Sequence, residues 1–165
     1  MNNQDEGVLR PAPCPPGPSP SLAGTAAYYP GKVPNSIRIG PSSHGLGAFA
    51  SKGFEKGSLL GHYWGELLDT ASFDARYPGP ASDTSYVYTL RARPGLLVID
   101  AIDPEQSSWC RFINSAHGSG LSNNTKFARH VYFSMGRACV EVRATKKIRV
   151  GEELLISYGR YFSWA

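Results

Sequence analysis

Cysteine is scarce in this chain and is not arranged to build a metal site or a disulfide framework. The three cysteines among 165 residues, Cys14, Cys110 and Cys139, lie far apart and show neither CxxC nor His-x-x-x-His spacing, so we expect no zinc site. An odd, sparse set of thiols also argues against a disulfide-built secreted fold. A chain of this length can bury one core without cross-links, and we expect each thiol to act as a small buried hydrophobe.

Long apolar runs are absent as well. No stretch approaches the roughly 18 apolar residues that a membrane-spanning helix needs, and the first residues lack the basic-then-apolar order of a secretion signal. We therefore expect a soluble intracellular protein without a membrane partner.

Net charge is small, but the basic excess is concentrated in one segment. Lys and Arg number 17 against 13 Asp and Glu. A single acidic residue, Glu141, faces a group that we call the basic stripe: Lys126, Arg129, Arg137, Arg143, Lys146, Lys147 and Arg149. Such a stripe contacts nucleic acid or an acidic protein face, or is an ordinary solvated strand face. The solvated face is favoured because no aromatic-interleaved base-stacking pattern accompanies it.

Proline and glycine divide the chain into a tail and a β-rich domain. Residues 1–35 include the run PAPCPPGPSP, which can bury little and cannot pair as a strand, so we expect a disordered tail. Residues 36–160 contain short apolar runs separated by glycine, proline and serine, typical of a mostly β domain with many turns. Candidate strands cover residues 36–39, 48–50, 58–64, 86–92, 96–99, 131–135, 138–144 and 153–157.

Helix is predicted in only two places. Residues 71–77 form the best candidate, with Asp69 or Thr70 as N-cap and a Pro-Gly pair that ends the helix. One or two further helical turns are expected around residues 109–114.

Two glycines flank one residue in the segment HGLGAFA, residues 44–50. The backbone of such a turn can approach a ligand closely and expose its N–H and C=O groups. A dinucleotide-binding loop is not predicted, since it would need a third glycine at the start of a helix within a βαβ unit. Taken alone, the motif is typical of a hairpin turn.

Two later motifs are more specific. The run GEELLISYG, residues 151–159, places two carboxylates before an apolar segment that ends at Tyr158. A strand there would deliver a phenol to the rim of a pocket. The segment RFIN ends at Asn114, whose carboxamide donates and accepts hydrogen bonds at once.

In this order, residues 44–50, the motif YWGE at 63–66, RFIN at 111–114 and residues 151–159 resemble the signature blocks of SET-domain protein lysine methyltransferases. The resemblance covers residues 37–162. It implies a mostly β, β-clip-like SET-domain fold of several small curved sheets, with few short helices and a C-terminal knot-like crossing. Residues 161–165, which include three aromatics, would form a flap that closes the substrate channel.

The same resemblance implies an activity and its partners. The methyl donor would be S-adenosylmethionine, with no metal, and the substrate a histone tail or another lysine-bearing protein. The protein would lie in the nucleus or on chromatin, where the basic stripe would offer a nucleosome contact.

The resemblance also implies individual roles. Tyr158 matches the tyrosine nearest to the transferred methyl, and Tyr63 matches the tyrosine that lines the lysine channel, so these two are the implied catalytic residues. The implied cofactor contacts are His44, Gly45, Leu46, Tyr86, Asn114 and Ser115.

Three departures from the family pattern keep a different function open. Ser115 replaces a usual histidine, Ile156 stands where an aromatic often tunes the number of methyl groups added, and Ser157 replaces a frequent aspartate. The cysteine-rich segment that follows the tyrosine in many histone enzymes is missing. A catalytically silent SET-fold module that binds a peptide or partner is therefore the alternative, and a nucleic-acid binder that uses the basic stripe is a weaker one.

Other polar residues are predicted to be structural. His117 has no partner at catalytic spacing and is interpreted as a surface or satisfied histidine. Asp100 is interpreted as part of a strand end, while Glu152 and Glu153 are expected to make turn hydrogen bonds or ion pairs.

Overall fold

The computed structural model of the protein describes residues 8–11, 33–79, 82–91, 95–134 and 137–158. Strands dominate and form three small antiparallel sheets, which confirms the predicted mostly β class. Within these ranges, the strands and the one α-helix are β1 (Val8–Pro11), β2 (Ile37–Ser42), β3 (Gly45–Ala50), β4 (Leu59–Trp64), β5 (Glu66–Asp69), α1 (Thr70–Arg76), β6 (Tyr86–Arg91), β7 (Leu96–Asp100), β8 (Thr125–Ser134) and β9 (Arg137–Ala144). Short 3-10 helices occupy Pro104–Gln106 and Trp109–Phe112. No helix of the described residues is long and apolar enough to cross a membrane.

The sheets have four, two and three strands, in the orders β1-β6-β7-β5, β2-β3 and β4-β9-β8. Strand β9 shows how the sequence pattern produces the core. In the second half of the strand, Val140, Val142 and Ala144 are buried, while Glu141 and Arg143 between them are partly exposed and pair with each other at 2.5 Å. Because successive side chains of a strand point to opposite faces, this alternation gives β9 one face toward the main core and one toward solvent.

Helix α1 packs on the four-stranded sheet through a small second core. Leu68, Val87 and Val98 are buried there, and Phe73 and Tyr77 pack against them. The helix begins where the sequence predicted, because the carboxylate of Asp69 accepts a hydrogen bond from Ser72 N at 2.8 Å.

Asp100 ties the end of α1 to the end of β7. Its side chain is fully buried and accepts hydrogen bonds from Arg76 Nη1 at 2.9 Å, Tyr77 Oη at 2.7 Å and Ile102 N at 2.9 Å. The interpretation of Asp100 as a structural strand end agrees with these contacts.

The predicted strand at residues 153–157 is wrong as a regular strand. The segment makes only isolated bridges: Glu153 pairs with Phe49, Leu155 with Asn114, and Ile156 with Thr125. Glu153 pairs with β3 on one side of the segment, whereas Leu155 and Ile156 pair with the chain around Asn114 and Thr125 on the other side. A continuous two-strand ladder therefore cannot form.

Other boundaries differ from the predictions for local reasons. Strand β8 begins at Thr125 rather than 131, because polar Thr125 and Lys126 still pair with Ala144 and Arg143. Strand β5 was not predicted, since its sequence ELLD has no clear alternation.

The structure describes seven residues of the predicted tail, Val8–Pro11 and 33–35. Val8–Pro11 form β1, which pairs with Tyr86–Thr89 at the edge of the four-stranded sheet. The remaining tail up to residue 32 lies outside the described residues, as do Ala92, Met135 and residues 159–165 with the predicted flap. The proposed boundaries of tail, domain and flap stay predictions.

Candidate active site

The glycine motif forms the turn between β2 and β3. Ser42 pairs with Gly45, and Gly45 adopts a φ of 88°, a backbone conformation that favours glycine. The His44 ring lies on this turn with Nε2 at 3.1 Å from His117 O. Since a carbonyl can only accept, this ring nitrogen is the donor. His117 itself is exposed, as expected for a surface histidine.

Asn114 connects the glycine turn to the C-terminal segment. Its Nδ2 lies 3.1 Å from Leu46 O, 3.0 Å from Glu153 Oε1 and 3.4 Å from Ser42 Oγ. Its backbone carbonyl accepts from Ile156 N at 2.8 Å. The structure therefore brings Leu46 and Asn114, which the sequence linked only by resemblance, into direct contact.

The C-terminal segment runs between β3 and the chain that follows Asn114. On one side, Leu154 N donates to Ala48 O at 2.7 Å. On the other side, Asn124 Nδ2 donates to Glu153 O and Asn124 Oδ1 accepts from Leu155 N, both at 2.8 Å. This crossing fixes the course of the segment up to Tyr158.

Tyr158 and Tyr63 approach the same region of the core. Tyr158 is partly buried, packs against the main core and donates its hydroxyl proton to Ile113 O at 2.9 Å. Tyr63 is 3% exposed and donates to Tyr86 O at 2.6 Å. Burial raises the pKa of Tyr63 well above its ordinary value, Arg111 opposes this shift, and the nearby Tyr158 phenol adds to it.

The Tyr86 ring makes a cation–π contact with Arg111. The Arg111 guanidinium lies 4.1 Å from the ring centroid, and its Nη2 donates to Ile102 O at 3.0 Å. Sequence reasoning did not single out Arg111, although it belongs to the RFIN motif. The contact depends on the fold and has no local sequence signal.

Ser115 is buried, and its hydroxyl accepts a hydrogen bond from His117 N at 3.2 Å. The side chain thus organises the local turn after Asn114. Its implied role as a cofactor contact stays a prediction, as do the roles of the other implied site residues.

The two C-terminal carboxylates have different partners. Glu152 Oε2 accepts from Arg149 N at 3.1 Å, which is the turn hydrogen bond that was expected. Glu153 makes neither a turn bond nor an ion pair in the described structure, because its Oε1 accepts from Ser42 and Asn114. The prediction for Glu153 was wrong, and Ser42 was missed with it.

Comparisons of the sequence and of the fold with known proteins both find SET-domain proteins. The SET-domain family model matches residues 45–159. PRDM6 of Homo sapiens and of Bos taurus, named as candidate histone-lysine N-methyltransferases, are each 28% identical over 116 residues, covering 68% of this chain and 18% of the relative. The histone-lysine N-methyltransferase EZH2 of Chaetomium thermophilum is 30% identical over 124 residues, covering 72% of this chain and 8% of that protein. The chain spans less than a fifth of the length of these curated relatives.

Solved structures show the same architecture. The methyltransferase domain of human PR domain-containing protein 2 is 26% identical with a TM-score of 0.57, and the match covers 97% of this chain and 96% of that one. The Chaetomium thermophilum Polycomb Repressive Complex 2 in an autoinhibited conformation bound to S-adenosylmethionine is also 26% identical, with a TM-score of 0.57, over 77% of this chain and 15% of that one. Because the family match extends from the glycine turn through the tyrosine-bearing C-terminal segment, well over half of the residues, this chain belongs to the SET-domain family.

Proposed function

We propose that this chain is an S-adenosylmethionine-dependent protein lysine N-methyltransferase that acts on histone tails or another lysine-bearing protein. Family membership supports the reaction class, and relatives named as histone-lysine N-methyltransferases support the substrate class and a location on nuclear chromatin. A solved relative bound to S-adenosylmethionine supports the methyl donor.

The observation that carries the proposal is the convergence of three distant segments. The glycine turn, the Asn114 segment and the C-terminal run are joined by Asn114 Nδ2 to Leu46 O at 3.1 Å and by Tyr158 Oη to Ile113 O at 2.9 Å. Tyr63 belongs to the main core cluster against which Tyr158 packs.

The residues around the glycine turn fit the amino-acid end of the donor. Gly45 is exposed and has no side chain to obstruct a ligand, so the main-chain groups of His44, Gly45 and Leu46 can contact it. Asn114 and Ser115 follow on the adjoining segment, and the half-buried Tyr86 ring would pack against the donor. When bound, S-adenosylmethionine supplies a sulfonium-activated methyl group.

The two tyrosines would prepare the substrate amine. Each phenol has one proton, and in each case a main-chain carbonyl accepts it. The phenol oxygens can therefore only accept further hydrogen bonds. Accepting an N–H of the lysine would orient the nitrogen lone pair toward the methyl carbon, and the same oxygens would attract the polarised methyl hydrogens.

Deprotonation of the lysine would precede the displacement. A free lysine has a pKa of about 10.4, and an apolar channel beside a cation lowers it by desolvation and like-charge repulsion. The proton would leave to solvent, and the uncharged amine nitrogen could then accept the methyl group that the bound donor would supply. Neither phenol has to act as a base, in keeping with the raised pKa of Tyr63.

Mass spectrometry of a histone mixture incubated with labelled S-adenosylmethionine tests the proposal. We expect label on lysine, with the site and the number of methyl groups read from the same spectra. Peptide binding without incorporation would instead support the silent binding module, and absence of both would contradict the assignment.

Nucleosome contact through the basic stripe is a separate proposal. Lys126, Lys146 and Arg149 are exposed, while the exposed Lys147 pairs with Glu55 at 3.1 Å and so is partly compensated. Binding to nucleosomes should weaken steeply as salt rises if the stripe contacts DNA phosphates. A salt-independent affinity would exclude this role.

A further inference from the structure

Glu153 lies at the centre of a hydrogen-bonded cluster that joins the parts of the proposed donor site. Its Oε1 accepts from Ser42 Oγ at 2.7 Å and from Asn114 Nδ2 at 3.0 Å. Ser42 ends β2 beside the glycine turn, and Asn114 lies at the crossing. One carboxylate oxygen thus connects the C-terminal segment to both other segments of the site.

This cluster determines which way the Asn114 carboxamide faces. Leu46 O and the carboxylate of Glu153 can only accept hydrogen bonds, so the NH2 group must face them. A reversed amide would set its oxygen against both acceptors. The carboxamide oxygen is consequently turned away from Glu153 and Leu46.

The backbone leaves room for Glu153 only because residue 47 is glycine. A Cβ at Gly47 would collide with Glu153 Oε1 and would lie 2.9 Å from Ser42 Cβ. Gly47 is buried, and a side chain there would displace the Glu153 carboxylate from this position. The absence of a side chain at Gly47 therefore leaves space for the Glu153 carboxylate.

We propose that Glu153 is a positioning residue for the methyl-donor site. By holding the NH2 group of Asn114, it presents the carboxamide oxygen as an acceptor for the ammonium group at the amino-acid end of the donor. Glu153 acts through Asn114 and does not touch the donor itself. The inference rests on the proposed function, since it concerns the same site.

Calorimetric titration of the full chain with S-adenosylmethionine tests this role in four variants. Glu153→Ala removes the acceptor, and Glu153→Asp withdraws it by one methylene, about 1.5 Å. We expect both to weaken the donor Kd by about tenfold or more, the loss of one charge-assisted hydrogen bond. Glu153→Gln keeps an acceptor oxygen at the same distance and should stay within about threefold of wild type. The control, Glu152→Ala, removes the neighbouring carboxylate and should change the Kd by less than about twofold.

Comparing donor affinity across the variants distinguishes a positioning role of Glu153 from an effect on overall stability. Thermal unfolding is measured for each protein to quantify the stability effect. A structural role alone would not make Gln and Asp differ in donor affinity. If Glu153→Ala does not fold, the comparison of Gln with Asp decides the question. Equal affinity of wild type, Ala and Asp would overturn the inference, and so would a folded Gln variant as weak as Asp. Failure of the wild type to bind the donor would instead overturn the proposed function, and with it the inference.

Discussion

The hydroxyl groups of the two implied catalytic tyrosines each donate to a main-chain carbonyl. Tyr158 donates to Ile113 O and Tyr63 to Tyr86 O. These bonds fix the direction of each phenol and use its only hydroxyl proton. A substrate amine would therefore meet an oxygen that can accept a hydrogen bond but has no proton left to donate. The same two bonds make separate predictions for activity and for stability.

Replacement of Tyr158 by phenylalanine should lower methyl transfer to a histone peptide by at least about tenfold, roughly 1.4 kcal/mol. The ring still packs, but the oxygen that would orient the amine is lost, so donor binding should be retained. Initial rates and calorimetry measure the two effects. Tyr77→Phe removes a hydroxyl that is bonded to Asp100 instead, and its turnover should match wild type. Unchanged turnover in Tyr158→Phe would refute the assigned role.

Tyr63 should make the protein sensitive to alkali. Burial raises the pKa of its phenol in the folded state, so its stabilising effect is full below the unfolded pKa of about 10 and is lost as pH rises above that value. Urea unfolding between pH 8 and 11 should show a steeper fall in unfolding free energy for wild type than for Tyr63→Phe. Parallel curves for the two proteins would show that Tyr63 does not contribute.

At the scale of elements, the attachment of α1 depends on one buried carboxylate. The helix has seven residues and none of them is fully buried, so its own apolar contacts are few. Asp100 bonds Arg76 and Tyr77 at the end of the helix and Ile102 N in the following loop. The pair formed by Arg76 and Glu66 at 2.7 Å is more exposed and should add little.

Asp100→Ala should lower the unfolding free energy by about 2–4 kcal/mol, because it leaves a cavity and three donors without their acceptor. Asp103→Ala is the matched control. Asp103 also caps a short helix by accepting from Glu105 N at 2.8 Å, but it is exposed, and its loss should cost about 1 kcal/mol or less. Equal losses in urea unfolding of the two variants would contradict the proposed importance of burial.

At the scale of the whole molecule, the crossing joins the last described residues to the middle of the chain. Asn124 is 4% exposed and bonds the C-terminal segment through both ends of its carboxamide, to Glu153 O and Leu155 N. Thr125 adds a hydroxyl bond to Leu155 O at 2.9 Å. Because Leu155 is buried, water cannot readily replace the side chains that bond it when they are removed.

Asn124→Ala should therefore destabilise the whole fold by about 2–4 kcal/mol, since the buried Leu155 N and the partly buried Glu153 O both lose their partner. The neighbouring Asn123 accepts a single exposed hydrogen bond from Ala116 N, and Asn123→Ala should cost less than about 1 kcal/mol. Urea unfolding of both variants measures the difference. A mild effect of Asn124→Ala would mean that the crossing closes without this side chain.

The sequence by itself determined the features that depend on near neighbours in the chain. Short apolar runs between turn residues identified β9, Asp69 or Thr70 marked the start of α1, and the motifs around Tyr63, Asn114 and Tyr158 indicated the SET-domain family. Each of these signals is local, because an apolar run, a helix cap and a single motif each span only a few residues.

Only the tertiary structure decided the partners of Glu153, the placement of Arg111 over Tyr86 and the interrupted pairing of residues 153–157. Ser42 and Glu153 are 111 residues apart in sequence, and Asn114 and Glu153 are 39 apart. A local pattern cannot specify such contacts, because they form only when the C-terminal segment enters the gap between β3 and the chain after Asn114. The glutamate that looked like a turn residue in the sequence became the link between three segments for that physical reason.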